Sequence, residues 1–473
     1  MNLSQFYIDG NWVDPVGNQK LDVINPATEE TVGQLSLGSE KDVDLAVSAA
    51  KKAFGTFSRT SVVERLELLT EIRNIYKRRY NEVAEAILTE MGAPITLASG
   101  AQSSVGLAHL KTAIRVLNDK DFEYKHNNML IREEPIGVCG LITPWNWPIN
   151  QVVSKLAPCL AAGCTSVLKP SEISPLSAII FAEIMHEAGT PAGVFNMVHG
   201  YGPIVGEAMS KHPNIDMMSF TGSTRGGVSV AKSSAETVKR VSQELGGKSP
   251  NIILDDACFE QSVSRGVSGC MNNTGQSCNA PTRMLVPKNR HDEAAQIAKR
   301  VAESMKTGDP KSNDTDIGPL VSETQLKKVQ KLVESGINSE ATLVTGGVGK
   351  PAGLNKGYYV KPTVFSNVHN QMEIARTEIF GPVLSIIPFE NEDEAVKIAN
   401  DTPYGLTNYI QTQDKDKVKR VARKLRSGMV DVNGVGIDGA SPFGGYKHSG
   451  IGREAGLEGL IEFLEIKSVG GFN

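Results

Sequence analysis

Cysteine is scarce in this chain, aromatic residues are few, and neither sign of charge prevails. Six cysteines in 473 residues (Cys139, Cys159, Cys164, Cys258, Cys270 and Cys278) are too sparse for a disulfide scaffold, and none forms a CxxC pair of the kind that holds a metal. Metal ligation is therefore not expected, and a reducing cytoplasm suits the composition. Lysine and arginine number 49 against 53 acidic residues, a net charge of −4 that gives no electrostatic reason to bind nucleic acid or an anionic membrane. Small molecules are the expected partners. Met1-Asn2-Leu3-Ser4-Gln5-Phe6 lacks a basic segment leading into an apolar run, so no signal peptide is expected. The one long uncharged stretch, Ile136 to Ser154, is broken by Pro144, Trp145, Asn146 and Pro148, which argues against a membrane span. A GxGxxG dinucleotide fingerprint is also missing.

What is present is a long chain with the hydrophobic and charged content of an ordinary globular protein, sized for two to three domains. Asp9-Gly10 predicts a hairpin over Phe6 to Val13. Helices are expected over Lys41 to Phe54, behind a capping-box-like Ser39, and over Val62 to Met91, where Leu66, Leu69, Ile72 and Ile75 share a face. From residue 138, short apolar runs (Val138 to Thr143, Thr165 to Leu168, Val194 to Val198, Asp216 to Phe220, Asn251 to Leu254) alternate with helical stretches. That alternation implies βαβ units and a parallel sheet, whose ligands bind beyond the carboxyl ends of the strands. Pro144, Lys169, His199 and Gly222 are expected at that edge. A second alternating region, Asp292 to Ser441, predicts a second α/β unit with strands at Ala341 to Thr345, Val383 to Pro388, Tyr409 to Thr412 and Met429 to Val432. Phe122 to Arg132 and Glu462 to Val469 read as strands without local partners, free to pair with each other or with another subunit.

Two residues carry the chemistry. A lone cysteine usually packs as a small hydrophobe, but Cys278 stands among Gly275, Gln276, Ser277 and Asn279, small or polar neighbours that suit an exposed turn. Glu244, thirty-four residues earlier, precedes Gly246-Gly247 and on its own reads equally as a strand end or a functional carboxylate. Together they suggest a thiolate nucleophile and a base that activates water to release an acid.

At this point the chain resembles the aldehyde dehydrogenase superfamily, in its non-phosphorylating, hydrolytic branch. The resemblance rests on Thr143-Pro144-Trp145-Asn146-Trp147-Pro148, Lys169-Pro170-Ser171-Glu172, Phe220-Thr221-Gly222-Ser223-Thr224, the Glu244 and Cys278 segments, Glu378-Ile379-Phe380-Gly381-Pro382 and Pro442-Phe443-Gly444-Gly445. It implies an α/β fold: a Rossmann-like cofactor-binding domain (1–117 and 137–246), an α/β catalytic domain (247–448), and a small β oligomerisation element with the C-terminal tail (118–136 and 449–473), assembled as a homodimer or homotetramer.

The implied reaction is oxidation of an aldehyde to its acid by NAD(P)+. Cys278 would be the nucleophile, Glu244 the base for hydrolysis, and Asn146 with the Cys278 backbone N–H the oxyanion donors. The implied cofactor contacts are Ile142, Thr143, Trp145, Lys169, Glu172, Gly202, Phe220, Gly222, Ser223, Leu245, Glu378 and Phe380. A ribose phosphate beside Glu172 would meet like charge, so NAD is favoured, with NADP allowed by Lys169 and Arg225. Lys155 and Glu454 match positions that support thiolate formation or proton relay, or stand as solvated surface charges. The substrate funnel is expected to include Trp147, Gln151, Ser154, Ser277, Asn279, Ile437 and Phe443, a polar set that suits a polar-functionalised aldehyde. The alternatives from other classes are a catalytically silent homologue and a coenzyme A-acylating enzyme.

Overall fold

The computed structural model describes residues 2–436 and 438–471. The predicted hairpin forms as Phe6–Ile8 and Asn11–Val13, with Asp9 (φ 50) and Gly10 (φ 78) in the left-handed region. The first helix, Glu40–Phe57, opens as expected: Asp42 Oδ2 accepts from the Ser39 backbone N–H at 2.8 Å. The expected single helix from residue 62 to 91 is instead two, Val62–Arg78 and Tyr80–Met91, because Arg79 (φ −96, ψ 13) leaves helical geometry. Leu69, Ile72 and Ile75 are buried on the predicted face. Ser103–Asp119, a further helix, had no sequence expectation.

Two sheets dominate. In the first, five parallel strands run in the order Arg240–Glu244, Met217–Thr221, Val138–Ile142, Thr165–Lys169 and Phe195–Met197, extended at one edge by Gly450–Ile451 and at the other by the hairpin, both antiparallel. The second runs Thr342–Thr345, Thr363–Ser366, Val383–Phe389, Arg283–Pro287, Pro250–Ile253, Thr407–Gln411 and Met429–Val432, parallel except at its first strand. The Asn251 run, expected to continue the first alternating region, belongs to the second sheet. Its place in the first is taken by Arg240–Glu244, whose polar sequence hid a strand. Every residue of Val138–Ile142, Thr165–Lys169 and Met217–Thr221 is buried, as sheets covered on both faces require.

Arg283 ties the second sheet to the segment that follows Glu244. Its fully buried guanidinium donates at 2.9 Å to the carbonyls of Lys248, Ile398 and Ala399 and to Asn370 Oδ1, and burial lowers its pKa to about 9. The two strands without local partners pair with each other: Leu464–Val469 lies antiparallel to Met129–Pro135, which pairs with Glu123–His126. Among the described residues no helix is long and apolar enough to cross a membrane.

Candidate active site

The carboxyl ends of three neighbouring strands of the first sheet open into a cavity of about 210 Å³. Pro144, Trp145 and Asn146 follow Val138–Ile142; Gly222 and Ser223 follow Met217–Thr221; Leu245 and Gly246 follow Arg240–Glu244. The far wall, from the second sheet's side, is Cys278, Glu378 and Phe380, with Gln325 and Lys328 beside them. Eight of the predicted catalytic and cofactor residues (Trp145, Asn146, Gly222, Ser223, Leu245, Cys278, Glu378 and Phe380) therefore share one cavity.

Glycines make this convergence possible. A Cβ on Gly246 would stand 2.3 Å from Glu378 Oε2, and one on Gly247 would stand 2.3 Å from the Cys278 carbonyl. The pair lets the chain leaving Glu244 pass against both the Glu378 carboxylate and the cysteine backbone. Gly275 packs as tightly, its Cβ position 2.1 Å from the Gly381 carbonyl, and so joins the nucleophile loop to the Glu378–Pro382 loop.

Cys278 is partly buried, at the end of a turn in which Asn273 (φ 53), Thr274 (φ 56) and Gly275 (φ 69) are successively left-handed. Non-glycine residues in that region cost about 1–3 kcal/mol each and persist where surroundings hold them. Here Gln102 Nε2 donates to Asn273 Oδ1 at 2.9 Å, Asn273 Nδ2 donates to the Asn146 carbonyl at 3.0 Å, and Thr274 Oγ1 donates to the Gly318 carbonyl at 3.1 Å. Sequence reading missed Gln102 and Asn273, which carry no motif. Burial, reinforced by the carboxylates of Glu378, Glu244 and Glu454, pushes the Cys278 thiol well above the usual range, so the resting sulfur is protonated at neutral pH.

Glu244 is 3% exposed, and neither carboxyl oxygen has a hydrogen-bond partner among the described residues. Burial raises its pKa well above a normal carboxylate, Glu454 adds to the rise, and Lys155 and Arg453 oppose it. Lys155 and Glu454 are not solvated charges: Lys155 is 1% exposed and forms an ion pair with Glu454, which also accepts from Ser154 Oγ at 3.1 Å. Lys155 Nζ donates as well to Ser219 Oγ at 3.2 Å. This buried pair is close enough to Glu244 to bias its charge, and breaking such a pair from one side costs about 3–5 kcal/mol.

Asn146 is 3% exposed, and Nδ2 donates one hydrogen bond to the Gln276 carbonyl at 2.9 Å, which orients the amide beside the nucleophile loop. An amide nitrogen carries two donors, so a second N–H remains. Trp145 and Phe380 meet edge to face, centroids 5.3 Å apart, and Phe380 is held at φ 60. Gln325, on the helix Glu323–Ile337, donates to the Phe380 carbonyl at 2.6 Å, and burial lowers the pKa of Lys328 from the same helix. Neither residue was singled out from sequence.

The remaining predicted cofactor residues lie along the first sheet's edge, outside that cavity. Lys169 Nζ donates to Glu172 Oε2 at 3.0 Å and to the Pro170 carbonyl at 3.1 Å. Gly202 starts the segment that covers Ile142 and Lys169: a Cβ on Gly206 would sit 3.5 Å from Ile142 Cδ1 and 3.9 Å from Lys169 Cδ. Thr143 is buried, with Oγ1 unpartnered among the described residues. The Phe220 ring lies beneath Gly222 and Gly226 and supports their loop from below. Ser223 caps the helix Thr224–Ser234, its Oγ accepting from the Gly226 N–H at 3.2 Å. His199, also expected at this edge, is fully buried, and burial beside Lys169 depresses its pKa to about 3. It stays neutral.

The funnel residues divide. Gln151 lines the cavity with Cys278, whereas Trp147, Ser277 and Asn279 line a second one of about 370 Å³. Ser154 is engaged with Glu454, and the Phe443 N–H donates to the Glu454 carbonyl at 2.7 Å. Ile437 lies outside the described residues.

The arrangement fits a dinucleotide. The eleven-residue helix beginning at Thr224 offers backbone N–H groups and a favourable dipole to a diphosphate, and its glycine approach leaves room for one. Lys169 and Glu172 offer donors and acceptors to ribose hydroxyls.

Comparison with known proteins agrees. The sequence pattern of the aldehyde dehydrogenase family matches residues 12–469. A 3-succinoylsemialdehyde-pyridine dehydrogenase from a Pseudomonas species is 53% identical, over 99% of this chain and 98% of its own. Among solved structures, a Cys-to-Ala mutant of aldehyde dehydrogenase C from Pseudomonas syringae, complexed with NAD+ and octanal, superposes with a TM-score of 0.99 at 49% identity, covering 100% of this chain and 97% of that one. Betaine aldehyde dehydrogenase from Staphylococcus aureus, in complex with NAD+, gives 0.96 at 36% identity over 100% and 95%.

Proposed function

The chain belongs to the aldehyde dehydrogenase family, and from that premise we propose that it oxidises an aldehyde to the carboxylic acid with NAD+, through a covalent adduct on Cys278 that water releases. The observation that carries this reading is the convergence of Cys278 and Asn146 in one cavity beside Leu245, directly after a buried Glu244 whose oxygens have no hydrogen-bond partner among the described residues.

The Cys278 sulfur gives up its proton to solvent water and adds to the aldehyde carbon, whose C=O π pair moves onto the oxygen. The resulting oxyanion is received by the second N–H of Asn146 and the backbone N–H of Cys278, donors of a type whose single loss typically costs about 10²–10³ in rate. Bound NAD+ supplies the acceptor for the hydride that leaves when the adduct collapses to a thioester. Glu244, whose oxygens have no competing partner among the described residues, takes a proton from the attacking water. The buried Lys155–Glu454 pair sets the field in which that carboxyl exchanges its proton. Lys169 and Glu172 would hold the adenosine ribose, Glu172 disfavouring a ribose phosphate. Gly222 and Ser223 would hold the diphosphate, Trp145, Leu245, Glu378 and Phe380 the nicotinamide, and Ile142, Thr143, Gly202 and Phe220 would shape the adenosine side.

The division into a cofactor-binding part, a catalytic part and a small β element follows the two large sheets and the third. That third sheet exposes Tyr124 (46%) and Ile466 (64%), apolar surface suited to a homodimer or homotetramer. Six free cysteines suit a cytoplasmic location.

The test is absorbance of reduced nicotinamide with purified protein, NAD+ or NADP+, and an aldehyde panel, with and without coenzyme A. Reduction by NAD+ without coenzyme A, yielding free acid, is expected. Thioester release that requires coenzyme A contradicts the hydrolytic role of Glu244, and silence throughout contradicts the enzyme reading.

A further inference from the structure

The loop before Cys278 is held by residues outside both large sheets. A π-helical turn, Ala98–Gln102, ends on Gln102 and runs directly into the helix Ser103–Asp119. Such wide turns are rare and recur at functional sites. Ser103 Oγ closes this one by donating to the Ala98 carbonyl at 2.8 Å, and the Tyr76 hydroxyl donates to the Ser103 carbonyl at 2.8 Å. The chain entering the turn and the loop leading to Cys278 lean on the same stretch, Pro310 to Val321. The Ile95 N–H donates to the Pro310 carbonyl at 2.7 Å, and a Cβ on Gly318 would stand 2.1 Å from the Gly92 carbonyl. From the loop, Thr274 Oγ1 donates to the Gly318 carbonyl at 3.1 Å, and Gln276 Oε1 accepts from the Val321 N–H at 3.0 Å.

Gln102, fully buried, connects the turn to the loop, and the direction of each amide is forced. Asn273 Nδ2 stands 3.0 Å from the Asn146 carbonyl and 3.3 Å from the Gln276 carbonyl, groups that only accept. Asn273 Oδ1 therefore faces Gln102, which must answer with a donor. Gln102 Nε2 lies 2.9 Å from Asn273 Oδ1 and 3.4 Å from the Asn146 carbonyl, with Met91 Sδ a weaker acceptor at 3.3 Å. The reverse amide would set oxygen against oxygen. This orientation is kept although it leaves Gln102 Oε1 without a hydrogen-bond partner among the described residues. The chain of amides ends at the oxyanion donor, because the Gln276 carbonyl that accepts from Asn273 accepts also from Asn146 Nδ2, at 2.9 Å.

Building on the dehydrogenase reading, we propose that Gln102 is a positioning residue of the reaction: through Asn273 it fixes the Gln276 carbonyl, and that carbonyl aims the Asn146 amide at the oxyanion. Gln102 itself does not line the cavity shared by Cys278 and Asn146. A donor stabilises the developing charge only where it is aimed, and a misplacement of about 1 Å can cost about 10²-fold in rate.

Gln102→Met keeps the length of the side chain and removes its N–H donors. The test measures kcat/KM for an aldehyde in this variant, in the native and in the Asn146→Ala background. Rates are taken per NAD+-binding site counted by calorimetry, so unfolded protein drops out. The expected loss is about tenfold or more in the native background and no more than about twofold once the Asn146 amide is gone, because the two residues act as one unit. Affinity for NAD+ is expected to stay unchanged. Asn273→Gly keeps the left-handed turn without strain and removes the intermediate amide. It is expected to cost as much as Gln102→Met and to make Gln102→Met silent when the two are combined.

The same cycle run on 4-nitrophenyl acetate reads the oxyanion without hydride transfer: the Cys278 thiolate adds to the ester carbonyl, and 4-nitrophenolate leaves as the thioester forms. A loss in Gln102→Met that vanishes with Asn146→Ala supports the positioning role even if no aldehyde is oxidised, a result that would count against the dehydrogenase reading alone. Losses of equal factor in the native and Asn146→Ala backgrounds, as a general loss of packing would give, overturn the proposal. So does native kcat/KM in Gln102→Met.

Discussion

The two sides of the Ser277–Asn279 segment are built by different means. The cofactor side is assembled from contiguous stretches at strand ends, where glycines bring loops within touching distance: Gly246 against Glu378, Gly247 against the Cys278 carbonyl, Gly275 against Gly381. The other side is assembled from single residues on separate elements, Arg265 on a helix, Tyr409 and Gln411 on one strand and Asp431 on the next. Reaction chemistry needs several backbones held close, so it leaves short, ordered motifs. The far side is lined by single side chains, Tyr409 and Gln411 at alternate positions of one strand, so it leaves none.

Substitutions sharpen that contrast, and the largest effect is expected at the nucleophile. Cys278→Ala should abolish aldehyde oxidation and labelling by iodoacetamide at this site, as read by NADH formation and peptide mass. In the native protein without cofactor, that labelling should increase with pH, with a midpoint above the ordinary thiol range near about 8.5. The sign follows from burial and three carboxylates, all of which penalise the thiolate. A midpoint below that range would remove this electrostatic account. Next in size, Asn146→Ala should lower kcat by about 10²–10³, with a much smaller change in KM for NAD+. A loss confined to KM would assign Asn146 to binding alone. The smallest effect is expected at the ribose: Glu172→Gln removes the like charge and should raise kcat/KM with NADP+ by severalfold to about tenfold, leaving the ranking of aldehydes intact.

Much of the first side could be read from sequence, because glycine, proline and asparagine at strand ends have local conformational meaning. Asp9-Gly10, Ser39 and the strands from Val138 to Thr221 formed close to where their patterns predict. Legibility failed where tertiary partners override local character. Arg240–Glu244 and Arg283–Pro287 are strands that contain charged residues, and Arg283 is tolerated inside only because three carbonyls and Asn370 satisfy it. The break at Arg79 has no glycine or proline to announce it. Lys155 and Glu454, 299 residues apart, read either as relay positions or as solvated surface charges, and only the fold makes them a buried pair. Gln325 and Lys328 reach the cavity from a helix whose sequence is that of an ordinary amphipathic surface helix.

The central claim is that Cys278 forms the acyl adduct and Glu244 releases it. Rapid mixing of Glu244→Gln with NAD+ and aldehyde, followed by intact mass, tests both at once. The account predicts a burst approaching one NADH per subunit, an acyl group on Cys278, and steady-state turnover reduced by about 10²–10⁴. Steady turnover at the native rate with no accumulated adduct would contradict it.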